Sequence, residues 1–238
     1  MKRVGHKGAD ALAPGNTVAS FQAAVEAGVD MIEFDVLRLR DDRLVLAHDL
    51  GDAGSREPLT LDEGLDHLAG ADYARLELDV DLKIPGYERE VVDGLRARGL
   101  MDRSLVSSQY EESLDRLGEL APGLRRGWSV PRVRRDYTRS ALAPVAYGVV
   151  RYWRARLPGR ALAMLAAGRC EAVMAHFLLV SPRLVTELGR VGAELYVWTV
   201  DDRRRIERLA ALGVAGVITN DPRLFDSLRE RSEAPASG

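Results

Sequence analysis

The sequence predicts an α/β fold, a (β/α)8 TIM barrel with a β-hairpin extension after strand 2. Three observations predict it. Short β-like runs alternate with amphipathic helical segments from end to end, and repeated strand–helix units imply a parallel sheet with crossover helices. Eight such strands remain once a hairpin arm at 43–49 is set aside, and 238 residues suit one undivided barrel. No Gly-x-Gly-x-x-Gly follows the first strand, which disfavours an open doubly wound sheet.

Each element has its own signal. RVGHKG (3–8) is the first strand, and TVASFQAAVEAG (17–28) is a helix that Thr17 caps. VDMIEFDVLRL (29–39) turns through Asp41-Asp42 into RLVLAHD (43–49), a hairpin because only a tight turn separates the runs. TLDEGLDHLAG (60–70) opens with a capping box, Thr60 and Glu63, and its His67 is expected at the surface. ARLELDVDLKI (74–84), helix 87–99, RSLVSSQ (103–109), helix 110–121 and LRRGWSV (124–130) continue the alternation. After a longer basic segment come helix 159–168, EAVMAHF (171–177), helix 182–192, ELYVWTV (194–200), helix 201–212, AGVITND (215–221) and helix 222–231. The expected organisation is one domain over 1–231 and a flexible tail over 232–238.

Composition bounds the function. Hydrophobic residues make up 46% and charged residues 29% of the chain, and the net charge of -2 gives no reason to expect a nucleic acid partner. The single cysteine, Cys170, excludes an intramolecular disulfide and a cysteine-rich zinc site, and is expected as a packed small residue. The N-terminus carries no apolar leader and no run of about eighteen apolar residues occurs. A cytoplasmic location is therefore expected.

Strand side chains alternate faces. In MIEFDVL, Ile32, Phe34 and Val36 share one face and Glu33 and Asp35 the other. In RLELDVDLKI, Leu76, Leu78, Val80, Leu82 and Ile84 are apolar, opposite Glu77, Asp79, Asp81 and Lys83. Helices cover the outside of a barrel, so the charged faces point inward, and those near the strand C-termini meet at the mouth where active sites form. His6, ending the first strand, reaches the same mouth, as His48 does through the hairpin. Glu77 lies deeper and is expected to be structural. Clustered carboxylates suit a hard divalent cation, Mg²⁺ or Ca²⁺. Lys83 can hold an anion, and two histidines can serve as base and acid at phosphorus. Together these groups point to phosphodiester cleavage.

The same residues resemble those of the glycerophosphodiester phosphodiesterases. HKG (6–8), PGNT (14–17), ASF (19–21), IEFDV (32–36), HD (48–49), VDLK (80–83), VSSQ (106–109), VWTV (197–200) and GVITNDP (216–222) follow that family's motifs in order over most of the chain. The resemblance implies metal-dependent hydrolysis of glycerophosphodiesters to glycerol phosphate and an alcohol. It assigns Glu33, Asp35 and Asp81 to the divalent ion, His6 and His48 to catalysis, and Lys83 to a phosphate contact. Lys7 and Trp198 become substrate-binding residues, with Trp198 against the glycerol-side pocket. His176, ending AVMAHF, is a further candidate at the mouth.

Several departures from the pattern matter. Asp81 stands where the family has glutamate, Lys7 replaces arginine and loses its planar grip, and Gly15 replaces the glutamate of Pro-Glu-Asn-Thr. Only about ten residues separate His48 from Thr60, where such enzymes carry a longer insertion. A more open mouth is expected, which brings in lysophospholipase D-like or sphingomyelinase D-like chemistry on lipids such as lysophospholipids. The segment 131–160 holds eight arginines against one acid, with aromatics interleaved, and suggests peripheral membrane contact beside the mouth. A non-catalytic barrel that binds phosphodiesters or membranes is the alternative from another class.

Overall fold

A computed structural model of the chain describes residues 1–132 and 143–226, with the backbone alone at 143–147. Among the described residues, eight parallel strands close into a barrel. They are β1 (Lys2–Gly5), β2 (Met31–Arg38), β4 (Glu77–Leu82), β5 (Ser104–Ser108), β6 (Arg125–Val130), β7 (Ala172–His176), β8 (Glu194–Trp198) and β9 (Gly216–Thr219). Each pairs with the next, and β1 pairs with both β9 and β2 to complete the ring. The expected hairpin arm is present. β3 (Leu44–Leu46) runs antiparallel to β2, with Val36 opposite Leu46, and leaves the ring unbroken.

Apart from the short helix that follows β3, which buries none of its side chains, the helices cover the outside, as parallel strands require. They are α1 (Val18–Glu26), α2 (Leu50–Ser55), α3 (Leu61–Leu68), α4 (Glu88–Ala97), α5 (Glu111–Leu120), α6 (Ala143–Ala166), α7 (Pro182–Arg190) and α8 (Arg203–Leu212). The Thr60/Glu63 capping box forms, and Thr17 caps α1 through a reciprocal pair with Ser20. Ile32, Phe34, Val36, Leu78, Val80 and Leu82 are buried beneath the helices. Ile84 departs from that face because β4 ends at Leu82; it is 37% exposed. Val200, past the end of β8, packs into the outer core rather than the barrel interior. Cys170 is buried and its thiol is pushed up to about 12 by that burial.

One expectation needs correction. The helix expected at 159–168 is instead α6, over Ala143–Ala166, and it runs through Pro158. Leu157, Ala161 and Met164 are buried in the outer core, and that packing outweighs the break a proline favours. The segment expected as a helix at 222–231 opens with a 3₁₀ turn at Pro222–Phe225 and is helical at Asp226, and residues from 227 on, with the expected tail, lie outside the described residues. His67 is half-buried on α3, with its Nε2 2.7 Å from the Tyr73 hydroxyl. The segment linked above to membrane contact falls partly on 133–142, outside the described residues. No described helix is long and apolar enough to cross a membrane.

The interior is layered. Strand parity and register place Lys2, Glu77, Arg125 and Glu194, from alternate strands, in one layer at the N-terminal end. Lys2 pairs with Glu77 at 2.7 Å, Arg125 with Glu77 at 2.6 Å, and Arg125 also meets Glu194. Glu77 is thus structural, as expected. Above it lie Val4, Met31, Leu105, Ala172, Met174, Tyr196 and Ile218, an apolar plug that seals the barrel below the mouth.

That plug leaves no slack at Gly216, where a Cβ would stand 2.5 Å from the Tyr196 ring. Tyr196 is fully buried and its hydroxyl is tied to Lys2 at 3.2 Å, so the ring cannot move aside freely. Gly216→Ala should lower the unfolding free energy by about 1–3 kcal/mol. Urea denaturation measures this, and an unchanged midpoint would contradict the packing described.

Candidate active site

The C-terminal ends of the strands build a cavity of about 150 Å³. Its walls include His6, Glu33, His48, Asp79, Asp81 and Lys83, with Trp198 on one side and Ser107 on another. Six of the nine residues proposed from sequence therefore face one space. Asp35 lies directly behind, bound to Lys83, and is fully buried.

The first turn explains how Glu33 is aimed. After His6 the chain takes left-handed geometry at Lys7 (φ 50°) and Gly8 (φ 88°). The Lys7 N–H then donates to Glu33 Oε2 at 2.9 Å, and the Gly8 N–H to the Glu33 carbonyl at 3.1 Å. A side chain at Gly8 would run into the Ser20 backbone at 2.6 Å. Asn16, buried and also left-handed (φ 58°), does the same for Asp35. Its amide donates to Asp35 Oδ2 at 2.9 Å and accepts from the Asp35 N–H at 3.0 Å.

Glu33, Asp35 and Asp81 each offer an oxygen, and these lie within 4.8 Å of one another. Two oxygens bonded to one Ca²⁺ at about 2.4 Å stand no farther apart than that. Lys83 is the positive charge now among them; its ammonium is 2.5 Å from Asp81 and in contact with Asp35. Burial and the Asp35 charge push Glu33 well above the carboxylate range. Burial would raise Asp35 too, but Lys83 and then His6 outweigh it and hold its pKa low. Lys83 is raised well above its ordinary value, because Asp35 and Asp81 outweigh its desolvation. Asp79, one step deeper, is pushed up to about 8 by burial and by Asp81, and its Oδ1 has no hydrogen-bond partner among the described residues. Three converging carboxylates, with a fourth short of a partner, fit a divalent cation.

The histidines sit in different surroundings. The His6 side chain is mostly buried, its Nε2 is 3.8 Å from Glu33, and its Nδ1 is 2.6 Å from Asn220 Oδ1. The Asn220 amide donates to Asp201 Oδ2 at 2.6 Å, which fixes Oδ1 as the acceptor facing the ring. His6 therefore carries its proton on Nδ1 and turns a lone pair on Nε2 toward the cavity. Burial depresses its pKa. His48 is half exposed, with Nδ1 3.1 Å from Asp49 Oδ2. Its segment is held by α2, which Asp49 caps, and by Arg56, which donates to the Gly15 carbonyl at 2.8 Å.

Two proposed residues stand apart. The Lys7 ammonium turns to Asp10 at 3.1 Å instead of lining the cavity. His176 does not line it either; its ring meets Trp198 edge-on at 5.2 Å between centroids. Trp198 does line it, with its indole N–H donating to the Met174 carbonyl at 2.9 Å. The sequence reading gave no role to Asn16, Asp201 or Asn220. Asn16 and Asn220 were in view within PGNT and GVITNDP, but the partners they hold are distant in sequence.

Comparison with known proteins agrees with this architecture. The profile of the glycerophosphoryl diester phosphodiesterase family matches residues 6–83 and 86–224. A glycerophosphodiester phosphodiesterase of Caldanaerobacter subterraneus subsp. tengcongensis is 27% identical, covering 94% of this chain and 96% of its own. Two solved structures share the barrel. An Oleispira antarctica phosphodiesterase in complex with the product sn-glycerol-3-phosphate has a TM-score of 0.74 at 21% identity, over 97% of both chains. A glycerophosphodiester phosphodiesterase from Parabacteroides distasonis has a TM-score of 0.75 at 19% identity, over 98% of both chains.

The His6 assignment is directly measurable. Nitrogen-15 NMR should find His6 in the Nδ1–H tautomer, and Asn220→Ala should abolish that preference. A His6 proton on Nε2 in the unsubstituted protein would contradict the relay from Asp201 through Asn220.

Proposed function

The chain belongs to the glycerophosphoryl diester phosphodiesterase family, a family of phosphoric diester hydrolases, and we propose that its barrel mouth cleaves glycerophosphodiesters to glycerol phosphate and an alcohol by metal-dependent chemistry with paired histidines. The observation that carries this reading is the convergence of His6, His48, Glu33, Asp81 and Lys83 on one cavity, with Asp35 directly behind.

Glu33, Asp35 and Asp81 are the residues that would hold Mg²⁺ or Ca²⁺. Such an ion supplies positive charge that polarises the phosphoryl group and stabilises developing negative charge. Lys83 steadies Asp35 and Asp81 and presents its ammonium to a phosphate oxygen. His6, with Nε2 unprotonated, takes the proton of the attacking oxygen, which comes from water or from the substrate's neighbouring hydroxyl, or itself attacks phosphorus. In the last two routes a water then opens the cyclic phosphate or the phosphohistidine to release glycerol phosphate. His48, at the exposed rim, delivers a proton to the departing alcohol. Trp198 packs against the glycerol half of the substrate.

Lysophospholipids are the second substrate reading. It is favoured by the connection after His48, where the short α2 stands alone before α3 and buries none of its side chains. The non-catalytic alternative is disfavoured by the family's chemistry and by the charged set itself, which is costly to keep without a use.

His6→Ala and His48→Ala should each lower kcat by about 10²–10⁴-fold with the circular dichroism spectrum unchanged. Normal turnover in both variants would overturn the assignment. Glycerophosphocholine and lysophosphatidylcholine, assayed side by side, should be hydrolysed in Mg²⁺ or Ca²⁺ and not in EDTA. The preferred compound identifies the substrate class, and cleavage indifferent to EDTA would contradict the metal-dependent reading.

A further inference from the structure

Beside the catalytic cavity, and sharing Gln109 and Ser129 with it, lies a wider groove of about 520 Å³. It is bounded by the ends of β5 and β6 and by α5 and α6. Guanidinium groups of the groove lie over the rings of Trp128 and Trp153, which line it, and of Tyr110 beside it. Arg132 lies 4.0 Å from the Tyr110 ring centroid, and Arg160 lies 5.4 Å and 5.0 Å from the rings of Trp128 and Trp153.

These arginines differ in what remains of their hydrogen-bonding capacity. Arg169, at the groove edge, is engaged by Glu111 at 2.6 Å and by Asp115. Arg160 meets one Glu111 oxygen at 3.3 Å. Arg132 has its ring contact and no carboxylate partner among the described residues. Of the three acids lining the groove, Glu111 and Asp115 are neutralised by these pairs, and Glu112 has no ion-pair partner among the described residues. Helix α6 adds Arg151, Arg154 and Arg156, all exposed, and no acid occurs between residues 143 and 170.

A cationic headgroup entering here would meet guanidinium groups where an aromatic cage would need bare rings. An anion would meet planar N–H donors already oriented by stacking and a positive field from α6. We propose that this groove binds the alcohol of the diester that lies away from Trp198, and selects one carrying its own phosphate group. The inference rests on the phosphodiesterase reading of the mouth and names its substrate class more narrowly.

Binding can be tested apart from turnover. Calorimetry on the His6→Ala protein, loaded with Mg²⁺, would compare glycerophosphoglycerol phosphate, whose second alcohol ends in a phosphate, with glycerophosphocholine. The phosphate-bearing compound should bind at least about tenfold more tightly, and Arg132→Gln or Arg160→Lys should erase most of that preference. Equal affinity, preference for the choline compound, or a preference untouched by both substitutions would overturn the groove assignment. If that preference and its arginine dependence hold while the unsubstituted enzyme hydrolyses neither compound, the groove assignment stands and the hydrolase reading fails.

Discussion

Four carboxylates from two adjacent strands meet at the mouth of this barrel, and one ammonium, from Lys83, stands among them. Glu33, Asp35 and Asp79 are almost fully buried, and Asp81 is partly so. Burying charge is expensive, and removing one partner from a buried pair costs roughly 3–5 kcal/mol because the other is left uncompensated. The cluster therefore depends on positive charge being present. Lys83 serves Asp35 and Asp81, but it leaves Glu33 and Asp79 pushed toward protonation. One ammonium is too little for four acids, and a divalent cation is what the arrangement accommodates.

The surrounding loops are shaped by this constraint. The left-handed turn at Lys7 and Gly8 exists to aim an N–H at Glu33, and the left-handed Asn16 to grip Asp35 at both its backbone and its carboxylate. Two departures from the family's motifs are physically linked here. With Gly15 in place of glutamate, Asp10 Oδ1 comes close enough to accept the Gly15 N–H at 2.8 Å, and Asp10 Oδ2 meets Lys7 at 3.1 Å. A Cβ at position 15 would stand 2.6 Å from Asp10. Lysine at 7, aspartate at 10 and glycine at 15 thus form one set, which turns the Lys7 ammonium away from the cavity. At the opposite end, the ion-paired layer and the apolar plug give the cluster a rigid base.

Much of this was legible in the sequence because strand side chains have a fixed period of two. That period alone put Glu33, Asp35, Asp81 and Lys83 on the inward face and Phe34 and Val80 beneath the helices. It could not show depth, which is why Asp79 passed as one more charged residue although it sits against the apolar plug. Asn220 and Asp201 escaped because Asn220 meets His6 from the other end of the chain, and Asp201 acts only by holding Asn220. The family resemblance put Lys7, and the end of β7 put His176, near the mouth, but the direction of each side chain there is set by local partners, Asp10 and Trp198. The helix expected from 159 starts earlier, at Ala143, because the local cost of Pro158 and Gly159 yields to the burial of Leu157 and Ala161.

The central claim is that the carboxylate cluster is a site for one divalent cation. Titration calorimetry of Mg²⁺ and of Ca²⁺ into metal-stripped protein tests it most directly, because it needs no substrate. The account predicts saturable binding of one ion per chain, greatly weakened by Glu33→Gln and by Asp81→Asn while both variants stay folded. No saturable binding of either ion, or binding indifferent to both substitutions, would contradict it.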